Sequence, residues 1–491
     1  MLFLGIDLGT SSIKVAVVDG STGDTLSKVQ YPESESPILS EKTGWAEQNP
    51  MQWWVDVQRC ILKSHETKKY NPQDITAIGI AYQMHGLVLL NKQLKVLRNS
   101  IIWCDSRAVA IGENAFESIG EKKCLTHLLN SPGNFTASKL AWVKEHEPAI
   151  YEQIDKVMLP GDFIAMKLTG SLTTSISALS EGVFWDFKNN ELSKDVFHHF
   201  NFPASLAPEI RSVFASHGVI SESVASQLHL SKKVVVSYKA GDQPNNALSL
   251  NVLNPGEVAA TAGTSGVIYS VSDSLVSDQQ SRVNTFAHVN HSASNVRTGV
   301  LLCINGTGSI NRWMRQTFSP SFSYEEMNNQ ADTVSIGSDG VRIIPFGNGS
   351  ERMLNNKLIG TQLLNIDLNR HSAAHIYRAT QEGIACAMQY GLAIMRSNGI
   401  NPTVIKAAHA NMFLSKVFAE SFVNITQVPI ELYNTDGSVG AALGAGIGIS
   451  FYKRPEEAFA SRKAVALVEP NHKDASEELY QSWKTNLSRF L

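Results

Sequence analysis

Apolar and polar positions alternate from the first residues, and short glycine-bearing turns cut the alternation. Leu2–Asp7 reads as a strand, Leu8–Ser12 as a tight turn, Ile13–Asp19 as a second strand, and Gly20–Gly23 as a turn before Thr25–Tyr31. A three-stranded antiparallel meander is therefore expected to start the fold. Farther on, Ile75–Tyr82 and Val88–Leu90 carry strand patterns, while Met51–Ser64 and Ala137–Glu147 carry helical ones. This mixture predicts an α/β architecture with helices on the sheet faces.

The opening recurs near the middle of the chain. Glu257–Thr261 reads as a strand, Ala262–Gly266 as a turn and Val267–Val271 as a strand, so both copies run strand, Gly-Thr-Ser, strand. Repetition at this distance predicts two related domains and not a short-period solenoid. Asn-Pro-Gly near Leu250–Pro255 breaks the pattern, which divides the chain into residues 1–251 and 252–491. Val439–Ile449 is small, apolar and Gly-rich; it is too short for a bilayer core of about 30 Å and predicts a helix packed closely against something else. Leu479, Trp483 and Leu487 stand four apart and predict a closing helix over 479–491.

Composition narrows the classes. The chain has 491 residues, enough for two or three domains at about 150 residues each, with 43% apolar and 18% charged residues. These values fit a globular enzyme and exclude a disordered or collagenous chain. Lys+Arg number 42 and Asp+Glu 45, a net charge of −3, which offers no positive field for nucleic acid or a membrane surface. The five cysteines are odd in number and lack metal-type spacing, so they read as reduced thiols of a cytoplasmic protein. Met1–Val18 already contains Asp7 and Lys14, unlike a secretory leader. The pair His198-His199 has no partner at helical ligand spacing, which argues against a metal-centred hydrolase.

Candidate chemistry collects at the turns. Gly9-Thr10-Ser11 and Gly263-Thr264-Ser265 combine backbone freedom, hydroxyl donors and successive N–H groups, a combination suited to phosphate oxygens. No Gly-x-x-x-x-Gly-Lys-Ser/Thr pattern exists, which excludes a P-loop. One such turn is an ordinary hairpin; two, opening two similar domains, suggest a cleft that grips a nucleotide's phosphates from both sides. Asp7 ends the first strand, either as an Asx-turn acceptor or as the carboxylate that orients a hydrated Mg2+. Lys14 is either a solvated strand residue or a phosphate contact. Asp242 follows the strand Val234–Tyr238 and Gly241 and precedes Pro244. It reads as a helix N-cap or as a base accepting a hydroxyl proton during phosphoryl transfer, since catalytic groups of open α/β sheets gather at carboxyl ends of strands. Gln83-Met84-His85-Gly86, between two strands, is structural or bonds the hydroxyls of a polyol. Trp103 can stack under a sugar chain, while Asp105 and Arg107 either bind hydroxyls or pair with each other.

Together these residues resemble the FGGY family of carbohydrate kinases. The resemblance rests on Gly5–Ser11, Gly44–Pro50 with Trp53-Trp54, Gln83–Gly86, Trp103–Arg107, Gly241-Asp242-Gln243, Gly263–Gly266 and Gly437–Gly446, which run in order through nearly the whole chain. It implies two actin-like (ribonuclease H-like) domains with an interdomain cleft, ATP and Mg2+ as cofactors, a small-molecule sugar as substrate, and a homodimer as a possible assembly. Asp242 then matches the catalytic base and Asp7 the carboxylate near the metal, holding Mg2+ through water. Gln83, Met84, His85, Trp103, Asp105 and Gln243 fall at the sugar. Gly9, Thr10, Ser11, Lys14, Gly263, Thr264, Ser265, Gly308, Ala407 and Asn411 fall at the nucleotide. The Gln-Met-His-Gly stretch is most similar to the members that phosphorylate D-xylulose; kinases of L-ribulose, glycerol, gluconate or L-fuculose are the competing readings, and a non-catalytic actin-like ATP-binding module is a third. The chain departs from the family at Lys406–Asn411, where a glycine-rich stretch is usual beneath adenosine, at Ser350-Glu351-Arg352-Met353 in place of Gly-Glu-Arg-Thr, and at Cys104, where Asn is common.

Overall fold

The computed structural model describes residues 1–491. Its first half is built on a five-stranded sheet whose strands are β1 (Leu2–Leu8), β2 (Ile13–Asp19), β3 (Thr25–Tyr31), β4 (Ile75–Tyr82) and β5 (Val235–Gly241), in the order β5-β4-β1-β2-β3. The meander β1–β3 is antiparallel, as expected, and β1, β4 and β5 run parallel. The second half repeats this plan in seven strands: β6 (Val258–Ala262), β7 (Gly266–Ser272), β8 (Asn284–Ala287), β9 (Thr298–Ile304), β10 (Ile405–Ala408), β11 (Ile430–Tyr433) and β12 (Ala464–Val468), in the order β8-β9-β7-β6-β10-β11-β12. Here too an antiparallel hairpin, β6–β7, is followed by parallel partners, β10 and β11.

The helices that matter for the site are α1 (Pro50–Glu66), α2 (Asp242–Ser249), α3 (Gly308–Phe318), α4 (Ala373–Ser397), α5 (Gly437–Gly448) and α6 (Lys473–Ser488). Local chemistry sets their starts. Asn49 caps α1 by accepting the Met51 N–H, with Pro50 at the first helical position. α2 begins at Asp242 itself, with Gly241 as its cap and no side-chain cap bond, so the N-cap reading of Asp242 does not hold. α6 starts at Lys473 and ends at Ser488, earlier at both ends than the sequence pattern suggests. Asn424 Oδ1 accepts the N–H groups of Asn471 and His472 and fixes the entry. The face expected to dock does so: Leu479, Trp483 and Leu487 are buried, and Trp483 Nε1 donates to the Ile343 carbonyl at 2.8 Å.

α5 belongs in sequence to the second half but lies on the first sheet. Phe3, Ala77 and Tyr238 share one core with Val439, Ala441 and Leu443. The approach is so close that a Cβ added to Gly5 would sit 1.9 Å from the Ser438 carbonyl, and one added to Gly79 would sit 1.9 Å from the Ala441 carbonyl. The close partner expected for this small-residue helix is therefore the first sheet. No helix is long and apolar enough to cross a membrane.

Candidate active site

Parallel strands bring their carboxyl ends to one edge of a sheet. On the first sheet this assembles Asp7 near the end of β1, Gln83 after β4 and Asp242 after β5. On the second it assembles Gly263 after β6, His409 after β10 and Asn434 after β11. Three cavities lie along these ends. An acceptor cavity of about 800 Å3 is lined by Met84, His85, Trp103, Asp242, Gln243 and Arg352, among others. A middle groove of about 570 Å3 is bordered by Asp7, Lys14, Lys28, His409 and Asp436. An outer groove of about 790 Å3 is bordered by Thr264, Gly308, Asn311, Asn328 and Lys416. Thr261 and Ser265 line both the acceptor cavity and the middle groove, and Gly263 and Asn411 line both grooves. The three spaces are therefore consecutive, with room for two ligands meeting near Asp242.

Two carboxyls dominate the electrostatics. Burial pushes Asp242 up to about 7, and the negative charge of Asp7 adds to the rise against hydrogen bonds from Gln243. Burial lifts Asp7 to about 6; Lys14, its register partner across the hairpin, opposes this and Asp436 reinforces it. Burial alone would raise Asp436 too, but hydrogen bonding from Ser438 and the charge of Lys28, 3.2 Å away, carry it below the usual range. Asp242 thus sits where it can take up a proton near neutral pH.

His85 has a positive φ of 63°, and its Nδ1 lies 2.9 Å from the Glu181 carbonyl. A carbonyl only accepts, so Nδ1 carries the proton and Nε2 is left as an acceptor. Burial, with the charge of Lys139 nearby, lowers the ring to about 3, which keeps it neutral. Lys139 donates to the His85 and Ile102 carbonyls at 3.0 Å, and burial brings it down to about 7. Glu181 is a group that sequence reasoning missed: its buried carboxyl lies behind Gly241, and burial followed by the charge of Asp242 holds it well above the ordinary range.

Several expected contacts are placed differently. Gln83 is buried at 2% exposure and does not line the acceptor cavity. Its Oε1 accepts from Thr10 Oγ1 at 3.1 Å, and its Nε2 donates to Gln48 Oε1 at 3.0 Å. Gln48 in turn donates to the Thr10 carbonyl, and Trp103 Nε1 donates to Thr10 Oγ1. Both ends of the Gln83 amide, placed at the sugar by the resemblance, thus hold the first turn. Gln83→Met is expected to cost about 1–3 kcal/mol in urea unfolding, since it strands buried partners. Gly9, Thr10 and Ser11 border neither groove, although Asp7 and Lys14 border the middle one. Asp105 lies at the cavity wall, but its carboxylate accepts from the Ala46 N–H at 2.6 Å and from the Arg107 guanidinium at 2.7 Å. Of the two readings, the Asp105–Arg107 pair is the one formed. Arg107 is further held against Trp45, 3.8 Å from the ring centroid. Trp103 is 44% exposed at the cavity mouth.

The second turn is stitched to α3: Gly308 N–H donates to the Gly263 carbonyl at 2.9 Å and Ser309 N–H to the Thr264 carbonyl at 3.1 Å. A Cβ on Gly308 would fall 2.3 Å from the Gly263 oxygen, so only glycine permits this approach. Ala407, placed at the nucleotide by the resemblance, is buried inside β10 and borders neither groove; the bordering residues are Ala408–Asn411. Asn411 takes a left-handed φ of 53°, a conformation Asn tolerates better than most side chains. Lys28 and Asp436 were not singled out from sequence, and only the fold brings them in; His409 and Arg352 lie in the 406–411 and 350–353 stretches noted as departures, without a role assigned to either.

The N-terminal domain of the FGGY family of carbohydrate kinases matches residues 2–249, and the C-terminal domain of that family matches residues 258–449. The chain belongs to the FGGY family of carbohydrate kinases. As a member it is an ATP-dependent carbohydrate kinase, and the consecutive cavities are those of a two-substrate enzyme. The chain is 29% identical over 462 residues to a xylulose kinase of Bacillus subtilis, covering 92% of this chain and 89% of that protein. The fold is that of a gluconate kinase from Lactobacillus acidophilus, with a TM-score of 0.89 at 21% identity over 99% of this chain and 98% of that one. It is also that of the glycerol kinase of Plasmodium falciparum solved with ADP, with a TM-score of 0.89 at 20% identity over 100% and 98% of the two chains. This FGGY member thus keeps the family architecture.

Proposed function

We propose that this kinase transfers the γ-phosphoryl group of ATP to the terminal hydroxyl of a ketopentose, D-xylulose foremost, to give D-xylulose 5-phosphate. The observation that carries the reading is Asp242 on the wall of the acceptor cavity, beside Met84 and His85 and across the end of β4 from Asp7 and the middle groove. In this reading residues 1–251 hold the sugar and the base, and residues 252–491 hold the nucleotide. Asp242 accepts the hydroxyl proton as that oxygen attacks phosphorus, a role that needs little beyond position and basicity. Lys14 neutralises phosphate charge, and Gly263 and Thr264 present backbone groups to the phosphates. No cluster of three or more His, Cys, Asp or Glu side chains could hold a metal by itself. Mg2+ fits only as a hydrated ion oriented by Asp7 and completed by phosphate oxygens, where it supplies charge neutralisation. The xylulose kinase relative supports the sugar; the gluconate and glycerol kinases of the same fold do not rank it.

A panel of D-xylulose, L-ribulose, glycerol, gluconate and L-fuculose in a coupled ADP-release assay tests the reading. D-xylulose is expected to give the highest kcat/KM. A higher value for another acceptor overturns the sugar assignment, and sugar-independent turnover throughout overturns the kinase mechanism.

A further inference from the structure

Arg352 comes from the second half of the chain, yet it lines the acceptor cavity together with His85, Phe135 and Asp242 from the first. Its neighbour Glu351 fixes it in place. The Glu351 carboxylate is fully buried and accepts the Asn305 N–H at 3.0 and 3.1 Å and the Gly306 N–H at 3.2 Å, clamping the loop to the end of β9. The Arg352 side chain itself donates to no protein group and pairs with no carboxylate; its one partner is the Phe135 ring, 5.9 Å from centroid to guanidinium carbon. A cation over a ring face leaves the five N–H donors of the fork unused. Burial lowers its pKa, as it does for Arg396 and Arg462, but both of those donate to backbone carbonyls. Arg352 is thus a desolvated donor set that the fold leaves open toward a ligand cavity.

Two polar groups on that wall, His85 and Asp242, have the opposite character. His85 presents Nε2 as an acceptor because its Nδ1 proton is committed to the Glu181 carbonyl, and ionised Asp242 only accepts. A ligand that satisfies these three groups offers hydroxyl protons toward His85 and Asp242 and an oxygen with lone pairs but no proton toward Arg352. We propose that Arg352 binds the carbonyl oxygen of the acceptor and so makes the enzyme select ketoses over the corresponding alditols. This deepens the kinase reading above and rests on it. A site built to donate to a carbonyl discriminates against an analogue that lacks it, because the donors are then left poorly paired.

The test compares D-xylulose with xylitol, its reduction product, in the full-length wild type, Arg352→Gln and Arg352→Lys. In the wild type D-xylulose is expected to be favoured. In Arg352→Gln the KM for D-xylulose is expected to rise about 10- to 100-fold, the range of a hydrogen bond to a charged group. The KM for ATP is expected to stay within about twofold and the D-xylulose to xylitol ratio of kcat/KM to fall at least about tenfold. Arg352→Lys, which keeps charge but loses the fork, is expected to fall between and guards against a glutamine variant that fails to fold; melting temperatures of both are recorded. An unchanged ratio in either folded variant overturns the proposal, as does a rise in KM for ATP that matches the rise for sugar. A wild type that phosphorylates neither compound overturns the D-xylulose reading instead, so the two failures are separable.

Discussion

Asp242→Asn is expected to cut kcat by about 10²- to 10⁴-fold while leaving the sugar KM nearly unchanged, the usual effect of removing a positioned general base. The substitution keeps the size and much of the hydrogen bonding of the side chain and removes only its ability to take a proton. Steady-state kinetics with saturating ATP measures it, and near-normal kcat would remove Asp242 from the mechanism. The raised carboxyl gives two further signatures. In the wild type kcat/KM should climb with pH and level off above about 7, because the base acts only when ionised, and this limb should vanish in the variant. Stability runs the other way. A carboxyl raised from 3.8 to about 7 on folding binds a proton more tightly in the folded state, so its contribution is present below about 4 and is lost as pH rises through about 7. Asp7, raised to about 6, acts with the same sign. Asp242→Asn should therefore melt higher than the wild type at pH 8, and the difference should close toward pH 4. A variant that is both slower and more stable at pH 8 identifies a strained functional carboxyl and excludes simple damage.

Gly79→Val is expected to destabilise the protein by at least the top of the about 1–3 kcal/mol range for overpacked cores. Gly79 and Gly5 are register partners on adjacent parallel strands, and together they form the bare surface on which α5 rests. Any side chain at 79 meets the Ala441 carbonyl, and backbone cannot move aside as a flexible side chain can. The helix carries matching glycines: a Cβ at Gly448 would lie 1.9 Å from the Ser237 carbonyl, and one at Gly444 would lie 2.7 Å from the Tyr238 ring. The effect should reach the site, because Gly437 at the start of α5 leaves only 2.6 Å between an added Cβ and Asp7 Oδ2. A lowered urea midpoint with a raised KM for ATP is the expected pair of results. An unchanged midpoint would show that the contact between α5 and the sheet is looser than the structure has it.

The opening meander, the strands at 75–82 and 88–90 and the repeated hairpin were legible because period-two alternation bounded by glycine is a local signal, fixed within a few residues. Asp242 was legible as a candidate because Gly-Asp before a proline, after an apolar run, marks a strand end. The roles of Gln83 and Asp105 were not. Whether an amide or carboxylate faces a ligand or a neighbour depends on what stands opposite it, and Thr10, Gln48, Ala46 and Arg107 reach them only through the folded chain. Arg352 lay in a stretch noted only as a departure and had no role for the same reason, since nothing in Ser350–Met353 tells that its loop meets Phe135 from the other half. The sequence alone determined the elements, their duplication and the chemical kinds of group at the strand ends, because those follow from patterning along the backbone. Tertiary structure alone decided which groups remain unpaired and which are desolvated, and it set α5 on the first sheet. Partners and burial are properties of distance in space, and the chain order does not record them.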